Sequence, residues 1–358
     1  MTVPFLEKLI QLLAQGGFTS TYKYAVLLGL VDLCIEAGQP PTSVTTTQLA
    51  RRVVELYWPQ AREFEPNSVL RQNAGGQAEI LRLIAAYTRP QPDRVSASWA
   101  AHLDPGGFSA LLLEVEWVLI EYPLPRVQRV GAHLDPFIYQ IGWDTAVKRS
   151  DFLQRGRRRP EFDNTIRFLD GASAQLVQLA PLLAPMLRSE WTQKVSQLND
   201  LRLQQVQQFL FGTERSDHAD LQRPLRLLQN GLCFYCRQGL TGQSQIDHFL
   251  PWSRYADDGL DNLVLVHQSC NREKLHFLAD LEFAKGWAER SLRESDRLDE
   301  ISSEARWARD RRRTFGVVAT VYQGVPDGVR LWGEKGLRLV AVSDLAAVHG
   351  FGKALLAS

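Results

Sequence analysis

The sequence predicts an α+β chain, mainly α, with a helical N-terminal region, a small unit rich in metal-ligand residue types and a short C-terminal β-containing segment. Three observations predict it. Helical periodicity dominates the first hundred residues and returns from about Ala172 to Phe211; three of the four cysteines fall between Gly231 and Cys270; and β-branched residues interleaved with Gly324, Gly328, Gly333 and Gly336 fill Val317 to Val340. At 358 residues the chain exceeds one small domain. The expected divisions are a helical domain at 1–100 that admits a winged-helix-like reading, a mixed then helical region at 101–215, a compact unit at 216–280, and a C-terminal helix with a small β segment at 281–358.

In chain order, Phe5, Leu6, Ile10, Leu12 and Leu13 form one apolar stripe. Tyr22 to Ile35 is apolar nearly all round, the pattern of a central helix, with Cys34 in the core and Gly38, Pro40 and Pro41 ending it. Thr45, Thr46 and Thr47 offer an N-cap for a helix from about Gln48 to Trp58, its inner side carrying Leu49, Val53, Leu56 and Tyr57. In a helix-turn-helix unit Thr47, Gln48, Arg51 and Arg52 would face DNA; the plainer reading is the charged outer face of an α-rich domain. Another helix is expected from Ala78 to Tyr87, and Pro90, Pro92 and Ser96 to Ser98 mark a loop or boundary.

Between Phe108 and Trp143 helix and strand do not separate by pattern, although Pro136 to Ile141 reads as extended. Arg155 to Arg159 holds the densest basic run, a solvated loop on the plainer reading and a phosphate-holding one on the sharper. Pro181 and Pro185 are expected to kink or split the long helix of 172–211. Beyond Lys274, the residues Phe277, Leu281, Phe283, Trp287 and Leu292 define an amphipathic helix. Arg306, Arg309 and Arg311 to Arg313, beside Trp307, make a second basic cluster that suits either DNA or a solvated helix end.

Composition excludes several classes. Lys+Arg 41 against Asp+Glu 40 leaves a net charge of +1, so nucleic-acid contact must rest on local basic patches. With 45% hydrophobic residues the chain can bury a sizeable core and is unlike a disordered one. Met1 to Lys8 lacks the pattern of a secretory signal, and the most apolar run, Ala110 to Tyr122, is broken by Glu114, Glu116 and Glu121. Neither export nor a membrane span is expected, and a cysteine cluster in such a chain points to metal ligation and a cytoplasmic location.

That cluster consists of two pairs with two-residue gaps, Cys233/Cys236 and His267/Cys270. Each pair has the knuckle spacing that grips one side of a tetrahedral ion. Zn²⁺ suits thiolate and imidazole, and four protein ligands leave no open position, so the expected site is structural. Between the pairs lies Asp247-His248. A carboxylate suits Mg²⁺ or Mn²⁺, and a histidine with an ordinary pKa of about 6.5 takes a proton from water near neutral pH. Metal-assisted hydrolysis follows as a plausible chemistry. Neighbouring side chains on a strand face opposite ways, so both reach one site only where the strand ends or bulges, which Pro251 is compatible with.

With Asp247-His248, Asn262 and Asn271 in that order, accompanied by Pro251, Leu263 and Lys274, the block Gly231 to Lys274 resembles the HNH endonuclease family. Its spacing is also similar to the HNH module of RNA-guided CRISPR nucleases. The resemblance implies a ββα-metal fold with Asp-His on the first strand, Asn on the connecting loop and Asn or His on the helix. It implies that His248 is the general base, that Asp247 and Asn271 hold the catalytic Mg²⁺ or Mn²⁺, that Asn262 orients the loop, and that Lys274 and Arg272 bind phosphate. Products with 5′-phosphate and 3′-hydroxyl ends follow from the same precedent. Two departures stand out: His267 replaces the cysteine many zinc-bearing members carry, and Asn271, a weaker ligand, occupies the helix position. His276 lies nearby but does not match the motif.

The expected function is therefore a metal-dependent endonuclease acting on DNA, with RNA a lesser expectation, in association with prokaryotic anti-phage defence or restriction and with a protein partner or guide-bearing complex. Two other readings compete: a zinc-stabilised nucleic-acid-binding scaffold with an inactive HNH unit, and a toxin-like RNA nuclease.

Overall fold

A computed structural model describes residues 2–17, 19–66, 68–89, 96–130, 133–211, 218–333, 339–341 and 345–357. Helices dominate and the strands are short, as expected. The chain divides into two compact units, one of residues 1–34 and 40–214, the other of 35–39 and 215–358. None of the described helices is long and apolar enough to cross a membrane.

The first unit opens with α1 (Thr2–Gln15) and α2 (Tyr22–Glu36). Ala25, Val26, Leu28, Leu30 and Cys34 are fully buried, as expected for a helix apolar on all sides. β1 (Ser43–Thr45) leads into α3 (Thr46–Tyr57), whose cap is reciprocal: Thr45 Oγ1 accepts from Gln48 N, and Gln48 Oε1 accepts from Thr45 N at 2.8 Å. Arg52 does not face outward. Its guanidinium is buried against Asp32 at 2.7 Å and Glu55 at 2.7 Å, which removes it from any DNA-facing set. A short 3₁₀ turn precedes α4 (Glu79–Thr88), then α5 (Ala97–Leu103) and α6 (Pro105–Glu121). Ser96 accepts from Trp99 N and so starts α5 rather than marking a boundary, whereas Pro90 and Pro92 lie outside the described residues.

Small strands follow: β2 (Arg129–Val130) with β3 (His133–Leu134), β4 (Tyr139–Gln140), then α7 (Arg149–Phe152), β5 (Leu153–Gln154), β6 (Arg157–Arg158) and β7 (Thr165–Phe168). β7 lies between β1 and β4 in an antiparallel sheet, with Val44 opposite Ile166 and Tyr139 opposite Phe168. The basic run is the β5–β6 hairpin, turned by Arg155 and Gly156 at φ 52° and 74°. Its Arg158 reaches the buried Glu116 at 3.3 Å. α8 (Ala172–Asn199) carries Pro181 and Pro185 without breaking. Buried Leu176, Leu183, Leu187 and Trp191 hold it through the lost backbone bonds, and the split falls at Asp200, in the left-handed region at φ 53°, before α9 (Leu203–Phe211).

The second unit begins with α10 (Ala219–Leu228), then β8 (Ser244–His248), a 3₁₀ turn at Leu260–Asn262, β9 (Leu263–His267) and α11 (Gln268–Lys274). β8 and β9 pair antiparallel, with Asp247 opposite Val264 and His248 opposite Leu263. This is the expected strand, strand and helix order. Leu263 to Val266 are fully buried, so β9 is covered on both faces. α12 (Leu281–Arg293) supplies part of that cover: Phe249 stacks on Trp287 at 4.8 Å, Trp287 Nε1 donates to Asp261 O at 2.8 Å, and Arg290 donates to Leu263 O at 2.8 Å.

α13 (Ser295–Ala305), α14 (Arg311–Gln323), β10 (Arg330–Trp332), β11 (Leu339–Ala341) and α15 (Leu345–Leu355) complete the unit. The β-branched run from Val317 is helix, not strand: Val317, Val318 and Ala319 are fully buried in α14, and packing overrides local preference. Among the described residues of that stretch only β10 and β11 are sheet, paired antiparallel with Leu331 opposite Val340. Of the second basic cluster, Arg309 turns inward to Asp261 at 3.1 Å and Asp299, and Arg313 reaches Glu36 at 3.1 Å. These two arginines are internal braces rather than a DNA-facing surface.

Candidate functional site

The four knuckle residues converge. The ligand atoms of Cys233, Cys236, His267 and Cys270 all lie within 4.8 Å of one another, and all four described cysteines are free of disulfides. The first pair sits on a tight turn in which Cys233 N donates to Gln238 O at 2.9 Å and Arg237, at φ 57°, donates to Cys233 O at 3.1 Å. The second pair straddles the junction of β9 and α11. Gln229 ties the two together, its amide donating to Leu265 O at 2.7 Å and accepting from Leu265 N at 2.8 Å.

The histidine is oriented for ligation. His267 Nε2 lies 3.1 Å from Gly239 O, a partner that only an N–H satisfies, so Nδ1 carries the lone pair. Nδ1 in turn lies 3.2 Å from Cys236 Sγ. Burial, then the neighbouring Cys233 and Cys236, push the Cys270 thiol well above its ordinary range, a crowding of sulfurs that a cation relieves by holding them as thiolates. The donor set and its convergence fit a tetrahedral metal ion.

β8 carries the expected Asp-His step and ends at His248, which meets the condition that the strand terminate there. Asp247 is buried, and its Oδ2 accepts from Tyr235 Oη at 2.7 Å and from Lys274 Nζ at 3.0 Å. Burial, then the Asp247 charge, raises the Tyr235 phenol far above its usual range, so it remains a donor. Both contacts fall on Oδ2, which leaves Oδ1 as the oxygen for another partner. Asn271 Nδ2 donates to Gln245 Oε1 at 3.0 Å; Gln245 and Asp247, two apart on a strand, share a face.

Lys274 corrects an expectation. It is fully buried, and besides Asp247 it donates to His248 O at 2.8 Å, so its ammonium is an internal tie and not a phosphate contact. Arg272 is exposed on α11 and His276 is exposed beyond the helix end, stacked on Phe277.

Asn262 is fully buried and holds the loop after His248: Oδ1 accepts from Leu250 N at 2.8 Å, while Nδ2 donates to Asp257 O at 2.9 Å and Leu250 O at 3.2 Å. Asn262→Ala strands these partners in the interior, and we expect a loss of about 2–4 kcal/mol in urea unfolding with the metal content of the cysteine cluster unchanged.

Two residues at the site, Asp258 and His218, escape the sequence reading. Asp258 Oδ1 accepts from His248 Nε2 at 2.9 Å and lies 3.0 Å from His218 Nε2, and the three ligand atoms fall within 4.8 Å of one another. Trp307 packs on His218 at 5.1 Å and donates from Nε1 to Asp258 O at 2.7 Å. Asp258 carries no ligand spacing of its own, and His218 lies well before the first cysteine of the cluster, so no local pattern marks them.

Comparison with known proteins places one segment. Residues 236–279 match the family described as HNH endonuclease, a small part of the chain that includes Asp247, His248, Asn262 and Asn271 and leaves out Cys233 and His218. No curated protein and no solved structure matches the chain.

Proposed function

We propose that the chain is a divalent-metal-dependent HNH endonuclease that hydrolyses DNA phosphodiester bonds. One observation carries the reading: within the segment that matches the family, the full set Asp247, His248, Asn262 and Asn271 is present on a paired hairpin and following helix. Zn²⁺ is the occupant assigned to the Cys233, Cys236, His267 and Cys270 cluster, where it braces the turn against β9 and α11. Asp247, through Oδ1, and Asn271 are the residues assigned to hold Mg²⁺ or Mn²⁺. That ion supplies positive charge against the negative charge that grows on the phosphate as the bond breaks.

His248 takes a proton from the attacking water. With its Nε2–H donated to Asp258, the lone pair sits on Nδ1, the nitrogen left to accept that proton. Asn262 keeps the loop from Phe249 to Asp257 in place, so that the imidazole is held rather than free to rotate. Arg272, exposed on α11, is assigned to a backbone phosphate. A cytoplasmic role in anti-phage defence or restriction, with a protein or guide-bearing partner, belongs to the same proposal and rests on the family likeness alone.

The test is to incubate the full chain with duplex DNA, single-stranded DNA and RNA in Mg²⁺, Mn²⁺ or EDTA. Cleavage of DNA only when the ion is present, leaving 5′-phosphate ends, supports the reading. Binding without cleavage in every ion indicates a scaffold with an inactive unit, and cleavage confined to RNA indicates an RNA nuclease.

A further inference from the structure

His218, His248 and Asp258 come from three separate segments: the residue before α10, the last residue of β8, and the loop that Asn262 braces. Their ligand atoms meet at one point. His218 Nε2 and His248 Nε2 stand 3.0 and 2.9 Å from the same oxygen, Asp258 Oδ1. Adjacent ligands on an octahedral ion with bonds of about 2.1 Å stand about 3.0 Å apart, so these edges have the length that coordination requires. Each ring is also fixed in its plane: His218 against Trp307 at 5.1 Å, His248 against Trp252 at 5.2 Å, with the two imidazoles nearly perpendicular at 79°. The three side chains are 18 to 28% exposed, enough for an ion to enter and for water to complete its shell.

We propose that His218, His248 and Asp258 form a third metal site, open to solvent, for a divalent transition ion. Two imidazoles and one carboxylate suit Zn²⁺, Co²⁺ or Ni²⁺, whereas Mg²⁺ and Mn²⁺ take oxygen ligands in preference. The site shares no residue with the cysteine cluster. It also lies outside the family likeness in one respect, because His218 precedes the matched residues. Loading it has a consequence for the proposed nuclease: an imidazole bound through Nε2 keeps its proton on Nδ1, so a loaded His248 has no lone pair for water. The ion therefore acts as a brake on the base.

The experiment counts ions and needs neither nucleic acid nor turnover, so its failure and the failure of the nuclease reading are distinguishable. The full chain, the His218→Ala chain and the Asp258→Asn chain are dialysed to equilibrium against excess Co²⁺, and bound cobalt is measured by mass spectrometry alongside the visible absorption. The expected result is an ion with the intense thiolate charge-transfer band in all three chains and one further ion without it that the wild type binds and both variants lose, any cobalt at Asp247 and Asn271 being common to all three. Asp258→Asn preserves shape and guards against misfolding of the alanine variant, with near-ultraviolet circular dichroism checking both. An equal cobalt count in the wild type and in either folded variant overturns the proposal.

Discussion

Cys236→Ser is expected to empty the cysteine cluster and loosen the hairpin that carries the Asp-His step. The serine hydroxyl is a poor ligand for a soft or borderline ion, and the remaining Cys233, His267 and Cys270 leave the tetrahedron incomplete. Closing such a site is worth roughly 10–16 kcal/mol of apparent binding energy in small units, and here it joins the turn at Cys233 to the end of β9 and the start of α11. Zinc held by the cluster should fall from one equivalent to nearly none. Hydrogen exchange should then show residues 231–274 losing protection before the helices of the first unit. Full metal loss with unchanged protection of 231–274 would mean that the ion braces nothing. A strong chelator acting on the wild type should reproduce the variant.

Asp247→Ala is expected to damage stability and rate together, for separate reasons. Lys274 is fully buried, and its ammonium is held by Asp247 at 3.0 Å and by the His248 carbonyl. Removing the carboxylate leaves a buried charge without its counter-ion, which costs about 3–5 kcal/mol. It also deprives Tyr235 of its acceptor. On the proposed chemistry it further removes a ligand of the catalytic ion and lowers the rate on the order of 10²–10³-fold. The two losses separate in the double variant Asp247→Ala, Lys274→Met. An apolar side chain in place of the orphaned ammonium should restore most of the stability measured by denaturant unfolding, because replacing both partners of a buried pair is far milder than removing one. The rate should not recover. Recovery of both would make Asp247 a structural residue alone.

How far the sequence carries depends on whether the determining contacts are local. The cysteine cluster was legible because Cys233/Cys236 and His267/Cys270 each place two ligands within a single turn, so spacing alone implies the geometry. The Thr45 cap and the buried α2 were legible for the same reason, one from a capping residue and the other from uninterrupted apolar character. Lys274 was misread because a basic residue next to Arg272 looks solvent-facing until β8 brings Asp247 against it. Arg52 and Arg309 repeat the lesson: each is taken inward by an acid remote in sequence, Asp32 and Asp261. The Val317 run was drawn into α14 by burial that propensity does not register. His218 and Asp258 left no trace because the contact that unites them with His248 exists only once α10, β8 and the loop are folded together.

The most direct test of the account is the single-turnover rate of DNA cleavage by His248→Ala against wild type in Mg²⁺, with zinc content and melting temperature measured on the same preparations. Loss of a positioned general base lowers the rate about 10²–10⁴-fold, and since His248 is no ligand of the cysteine cluster, the zinc held by that cluster and the fold should be unchanged. Wild-type cleavage by a fully zinc-loaded His248→Ala chain would contradict it.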